Sequence, residues 1–322
     1  MSTTDQRLPV YLDCDTGIDD SLALAYLLAA PGVDLVGVGT VSGNTSASQA
    51  ARNTLDLLAL AGREGVPVAQ GAEDWSTRAF DGGVPHIHGW NGVGGVELPR
   101  GAGEVAGESA TDLLLRLSRE YEGELRLVTV GPLTNIAIAL EADPGLAQRV
   151  KEVTIMGGAA LVPGNVSAVA EANVWNDPEA AGIVLEADWD ITLVPLDVTL
   201  ENTLDESDRA RLLGSEVPLA VALGQMLDHY FDFYVDFYGS RSCALHDPLA
   251  AAIAVGGVVP TVAPAVAVEV DETEGPGRGQ TICDLRGQRL GPVDQPGART
   301  RVVLGTDRPL GPHLIERLTT AC

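Results

Sequence analysis

The chain reads as an α/β protein with a mostly parallel central sheet and helices on both faces. Three observations lead there. Short apolar runs alternate with longer stretches rich in Leu and Ala. Gly and Pro are scattered between these runs and do not collect in one block. Polar residues with chemical potential follow several of the apolar runs directly. Alternation of this kind favours parallel pairing, because a crossover helix must return the chain to the same end of the sheet. Ligand sites in such sheets collect beyond the carboxyl ends of the strands.

Pro9-Val10-Tyr11-Leu12 is short and apolar, as a buried strand is, and Gly17 supplies turn chemistry after it. Ser21–Ala30 predicts a helix from its Leu and Ala content. Asp19 and Asp20 then stand at its start, where carboxylates accept free backbone N–H groups. Val33–Val41 is a second strand, followed by Gly43-Asn44 and a helix over Ala47–Leu60. Leu125–Val130 predicts a central strand and Leu133–Leu140 the start of the next helix. Glu152–Met156 and Ile191–Leu196 are further strands, and Leu219–Tyr238 is helical in pattern. Beyond Thr261 the pattern predicts strands and turns, with an acidic, Gly-rich loop at Asp271–Gly279. No linker divides the chain, so residues 1–322 are expected to form a single domain. Residues 70–107, rich in Gly with little periodicity, read either as a mobile active-site loop or as a long surface excursion.

At 45% hydrophobic but only 4% aromatic, the core must be built from Val, Leu, Ile and Ala. The net charge of -25 argues against nucleic-acid or anionic-membrane partners, since phosphate rewards Lys and Arg. Lys151 is the one lysine. Cys14, Cys243, Cys283 and Cys322 are far apart and show no zinc-ligand spacing, and Cys14 reads as a small buried thiol. Neither a signal stretch nor an apolar run long enough to span a bilayer is present, which makes the cytoplasm the expected location.

The run Asp13-Cys14-Asp15-Thr16-Gly17-Ile18-Asp19-Asp20 places four carboxylates within eight residues. Such groups repel unless they are separated, protonated or neutralised. Asp13 and Asp15 point the same way if the strand continues through them, and Gly17 lets the chain bend back towards Asp15. A hard divalent cation would relieve the repulsion, while a solvated loop with helix-capping acids is the plainer account. An aspartate-nucleophile phosphatase also begins with two acids one residue apart after a strand. It would have to draw its phosphate-facing lysine from Lys151. The EF-hand pattern of alternating ligands and a terminal Glu is absent.

Seven ordered segments are similar to the inosine/uridine-preferring nucleoside N-ribohydrolase family over almost the whole chain. LDCDTGIDD resembles its aspartate signature DTDPGxDD, with Cys14 and Thr16 as departures. VSGN at 41–44, HGWNGVG at 88–94, VGPLTNIA at 130–137 and MGG at 156–158 follow. GNVSAVAEANVWNDPEAA at 164–181 and LHDPLA at 245–250 complete the set.

The resemblance implies a nucleoside hydrolase-like fold and Ca²⁺-dependent hydrolysis of the N-glycosidic bond of a small-molecule ribonucleoside to free base and ribose. It implies Ca²⁺ held by Asp15, Asp20, Asp247 and the backbone carbonyl of Val130, with Asp13 in support. Asp15 would accept the proton of the attacking water. Asp19, Asn44, Asn165, Glu171 and Asn173 would bind ribose. His246 would deliver a proton to the leaving base or merely contact it, and His88, Tyr230 and Tyr234 would meet the base. Tyr230 and Tyr234, four residues apart, share a helix face, and an aromatic core stripe is the alternative. Phe231, Phe233 and Phe237 are assigned to packing, His86 to an exposed position, and Trp90 to base stacking or packing within its own loop. Tyr238 could continue the aromatic face, and Ala172 departs from a bulkier residue in the family. A homodimer or homotetramer is the implied assembly. A ribonucleoside-binding protein without turnover is the competing class.

Overall fold

The computed structural model describes residues 7–320; Cys322 lies outside them. Six strands appear in chain order in the main sheet: β1 (Leu8–Cys14), β2 (Val33–Thr40), β3 (Val68–Gln70), β4 (Arg126–Thr129), β5 (Glu152–Met156) and β6 (Ile191–Val194). From one edge the sheet runs Ala265–Val266, Thr300–Val302, β6, β5, β4, β1, β2, β3. Every neighbouring pair is parallel except the two strands at the Ala265 edge. The sequence predicts strands beyond Thr261 but not their place beside β6. These strands are two and three residues long, too short to show a periodicity.

The helices lie where the alternation puts them. Ile18–Ala29 follows β1, Ala47–Leu60 follows β2 and Thr134–Ala142 follows β4. The helix Pro218–Tyr238 also forms. Two apolar layers result, one on each sheet face. Val10, Leu12 and Cys14 of β1 pack with Leu22, Leu27, Leu223 and Leu249, while Tyr11 packs with Leu113, Leu127 and Ile136. Each fully buried Leu contributes roughly 2 kcal/mol by leaving water. The predicted strand end at Leu196 is instead the first residue of a helical turn, Leu196–Thr199. Pro195 brings no N–H to a ladder, and strand β6 stops at Val194.

In the sheet register Asp13 lies beside Gly39 on β2 and Thr129 on β4. The carboxyl ends of β1, β2 and β4 therefore reach one level, and the polar residues after them converge. The 70–107 segment has one helical turn, Pro85–His88, among otherwise irregular chain. The Trp75 indole donates to the Ser42 carbonyl at 3.0 Å, and the Val84 N–H donates to the Asn44 carbonyl at 3.1 Å. Cys14, Cys243 and Cys283 are free thiols, with Cys14 buried as expected. Among the described residues no helix is long and apolar enough to cross a membrane.

Candidate active site

The site is built first from the turn after β1. Asp20, in the first turn of Ile18–Ala29, accepts the backbone N–H groups of Asp15 at 3.1 Å and Gly17 at 2.8 Å. A carboxylate that reaches back over two backbone donors folds the Asp15–Gly17 turn onto the helix start. The loop after β2 closes from the other side. The Asn44 N–H donates to Asp15 Oδ2 at 2.5 Å, and Asn44 Nδ2 donates to Asp20 Oδ2 at 3.0 Å. Gly43 makes that approach possible, because a Cβ there would overlap the Asp15 carboxylate.

Ligand-capable oxygens of Asp19, Asp20 and Asp247 all lie within 4.8 Å of one another, and all three residues are buried. Asp247 sits in the first turn of the helix His246–Ala254, which packs against Ile18–Ala29. A motif more than two hundred residues downstream thus enters the acidic turn. Asp15 is outside this triple but buried beside it. Asp15 Oδ1 and Asp19 Oδ1 have no hydrogen-bond partner.

The acids are unfavourable as they stand. Burial, then the Asp20 charge, raises Asp15 well above the usual carboxylate range and Asp19 to about 7. Burial raises Asp20 as well. Asp247 is pushed well up by burial and then by Asp19, Asp20, Asp15 and Glu171. Among the described residues no lysine or arginine pairs with these groups. His88 Nδ1 lies 3.9 Å from Asp19 Oδ1, yet it accepts the Ile18 N–H at 3.0 Å and so carries a lone pair there. Burial lowers His88 to about 3, so that contact is not an ion pair at neutral pH. Buried, partnerless carboxylate oxygens without a protein cation suit a hard divalent ion. The cluster is able to hold a metal.

Asp13 stands apart from the triple. Its carboxylate, raised to about 7 by burial, accepts Asn135 Nδ2 at 3.0 and 3.3 Å. Asn135 also accepts the Ala72 N–H at 2.8 Å, joining β1 to the segment after β3. Asn135 lies within the quoted VGPLTNIA segment, but its role was not legible before the two elements met.

The predicted ribose residues occupy two levels. Glu171 caps the turn Ala172–Asn176, accepting the N–H groups of Asn173, Val174 and Gly158. Asn165 is exposed, and its Oδ1 accepts the Ala172 N–H at 3.0 Å. Asn173 Nδ2 donates to the carbonyls of Val130 at 2.9 Å and Met156 at 3.2 Å. It therefore aligns the ends of β4 and β5 and uses one of the two lone pairs on the Val130 oxygen.

An aromatic wall closes the site. Tyr230 packs on His88 with centroids 5.3 Å apart and meets Tyr234 edge-on at 5.0 Å. His246 is held between two hydroxyls, Thr199 at 2.8 Å from Nδ1 and Tyr234 at 2.9 Å from Nε2. Burial lowers His246 to about 4, which leaves the imidazole neutral near pH 7. Thr199 was missed in the sequence; its one signal is its position just after a strand. Tyr238 donates to the Leu200 carbonyl at 3.0 Å. Phe231 is buried as expected, but Phe233 and Phe237, also assigned to packing, are 38% and 65% exposed. His86 is exposed, and Trp90 is 77% exposed.

Comparison with known proteins agrees with this geometry. The family described as inosine-uridine preferring nucleoside hydrolase matches residues 10–310. Uridine nucleosidase 1 of Arabidopsis thaliana is 37% identical over 242 residues, covering 74% of this chain and 71% of that protein. The inosine-uridine preferring nucleoside hydrolase of Leishmania major is 36% identical, covering 86% and 88%. The solved purine-preferring ribonucleoside hydrolase from Gardnerella vaginalis superposes with a TM-score of 0.88 at 34% identity, covering 97% and 98%. The chain belongs to the inosine-uridine preferring nucleoside hydrolase family and is a nucleoside hydrolase.

Proposed function

We propose that the protein hydrolyses the N-glycosidic bond of ribonucleosides to free base and ribose, with Ca²⁺ held by Asp15, Asp20, Asp247 and the Val130 carbonyl. The observation that carries this reading is the buried all-oxygen cluster with partnerless oxygens on Asp15 and Asp19. When bound there, the cation supplies charge to orient the sugar hydroxyls and make water a stronger nucleophile. Asp19 stands in the same triple, so its free oxygen serves either the ion or a ribose hydroxyl beside it.

The remaining chemistry belongs to the side chains. Asp15, with Oδ2 committed to the Asn44 N–H, has Oδ1 free to accept the proton of the attacking water. Asp19, Asn44, Asn165, Glu171 and Asn173 bind the ribose, and Asp13 gives support from outside the cluster by tying β1 to the segment after β3 through Asn135. As the base departs, C1′ gains positive character, which the surrounding carboxylates stabilise through fixed charge. His88, Tyr230 and Tyr234 enclose the base. His246 and the Tyr234 hydroxyl form a hydrogen-bonded pair backed by Thr199, which offers the leaving base a hydrogen-bond donor, and any proton given to the base is regained from water. His246 is neutral near pH 7, and it acts as a hydrogen-bonded donor without carrying a full positive charge.

The test is incubation with inosine, guanosine, adenosine, uridine and cytidine, with Ca²⁺ or with a chelator, followed by separation of free bases. At least one base is released, and only with the ion. Folded, Ca²⁺-loaded protein that releases none of the five would overturn the reading.

A further inference from the structure

Asn53 has no part in the chemistry above, yet it is 3% exposed in the middle of the helix Ala47–Leu60. A buried amide is costly unless its polar atoms are paired. Here all are. Its Nδ2 donates to the Thr16 carbonyl at 3.2 Å and to the Asn91 carbonyl at 2.9 Å. Its Oδ1 accepts Gln49 Nε2 at 2.8 Å. Thr16 lies in the acidic turn between Asp15 and Asp19, whereas Asn91 lies in the segment that carries His88. One side chain therefore binds the acidic turn to a segment more than seventy residues away.

The surroundings are shaped for this tie. Thr54, the next residue on the helix, shares a 2.8 Å hydrogen bond with the Thr16 hydroxyl. Asn91 Oδ1 accepts the N–H groups of Val93 and Gly95, and its Nδ2 donates to Val96, so the segment turns tightly around it. Gly92 has φ +81°, and a Cβ there would stand 3.0 Å from Asn53 Nδ2 and 3.3 Å from the Thr16 carbonyl. A side chain at that point would be strained by the positive φ and crowded by the two loops.

We propose that Asn53 is a positioning residue for the hydrolase reaction. It fixes residues 88–94 against the acidic turn and so sets where His88 stands. The kinetic side of this proposal rests on the reading of His88 as a nucleoside contact; the tie itself does not.

The test uses the full chain with Asn53→Leu, which keeps the volume but removes both donors, and His88→Ala. Gln49→Ala, which frees the Asn53 oxygen at a partly buried position, is the milder variant should Asn53→Leu not fold. Deuterium exchange followed by mass spectrometry is expected to rise at residues 88–96 in the Asn53 or Gln49 variant, with β1, β4 and β5 unchanged. In Asn53→Leu, kcat/KM falls about tenfold, the scale of one buried polar group left unpaired. The Asn53→Leu/His88→Ala double variant then loses no more than His88→Ala alone, since residues acting through one another are not additive. Exchange that rises evenly over the whole chain, or losses that multiply in the double variant, overturns the proposal. A local rise in exchange with kinetically silent His88→Ala keeps the tie and removes the His88 contact, so the two readings fail separately.

Discussion

Stripping divalent ions from the protein should make its stability fall as the pH rises above neutrality. The perturbation is chelation, and the group to follow is Asp19. Burial and the neighbouring Asp20 raise its carboxyl to about 7 from an ordinary 3.8. With the folded value raised, its contribution is fully present below the unfolded value and is lost as pH climbs through about 7. Between pH 6.5 and 8.5 this one buried group costs about 0.8 kcal/mol, because about a quarter of it is already ionised at pH 6.5. In a chain of this size that is about 1 °C of unfolding midpoint. His88 and His246, lowered to about 3 and about 4, act in the opposite sense. Their stability is lost on acidification through the ordinary 6.5, so at the lower edge of this window each offsets about 0.4 kcal/mol. Asp13, also at about 7, adds a slope of the same sign, but it stands apart from the triple. The assay is thermal unfolding at both pH values with chelator and then with excess Ca²⁺. Adding the ion should restore the Asp19 share at pH 8.5 and raise the midpoint further by mass action. A chelated protein no less stable at pH 8.5 than at 6.5, or a midpoint that ignores Ca²⁺, would refute the reasoning.

Two substitutions test the side-chain roles. Asp15→Asn should reduce kcat by about a thousandfold, the scale of a lost general base, while circular dichroism and nucleoside binding persist; near-wild-type turnover would remove Asp15 from that role. Tyr234→Phe leaves His246 Nε2 without its 2.9 Å partner, and kcat should fall about tenfold with KM little changed. An unaltered kcat would show that the Thr199–His246–Tyr234 line offers the leaving base no donor.

Much of the fold was legible because the informative signals were local. The helix Ala47–Leu60 and the strand Glu152–Met156 begin and end where their patterns do. The acidic turn announced itself by density of charge. What the sequence hid were partnerships between distant elements. Nothing near Asn135 points to Asp13, nothing near Asn53 points to Asn91, and nothing near Thr199 points to His246; the tertiary fold alone brings them together. Glu171 is instructive in another way. As a bare carboxylate it suggests a ligand, whereas in the fold its oxygens are held by the N–H groups of Asn173, Val174 and Gly158, so any contact it makes with sugar comes from a group already fixed in direction.

The hydrogen bond from the Ile18 N–H to His88 Nδ1 has a thermodynamic consequence. It makes a residue of one loop part of the start of the helix that carries Asp19 and Asp20. Drawing His88 away strips a partner from that first turn, and loosening the turn strips a partner from His88. If a metal ion occupies the acidic turn and a nucleoside contacts His88, as proposed, the hold on the ion and the hold on His88 are two sides of one linkage cycle. A nucleoside that holds His88 in place must tighten the ion by the same factor by which the ion tightens the nucleoside.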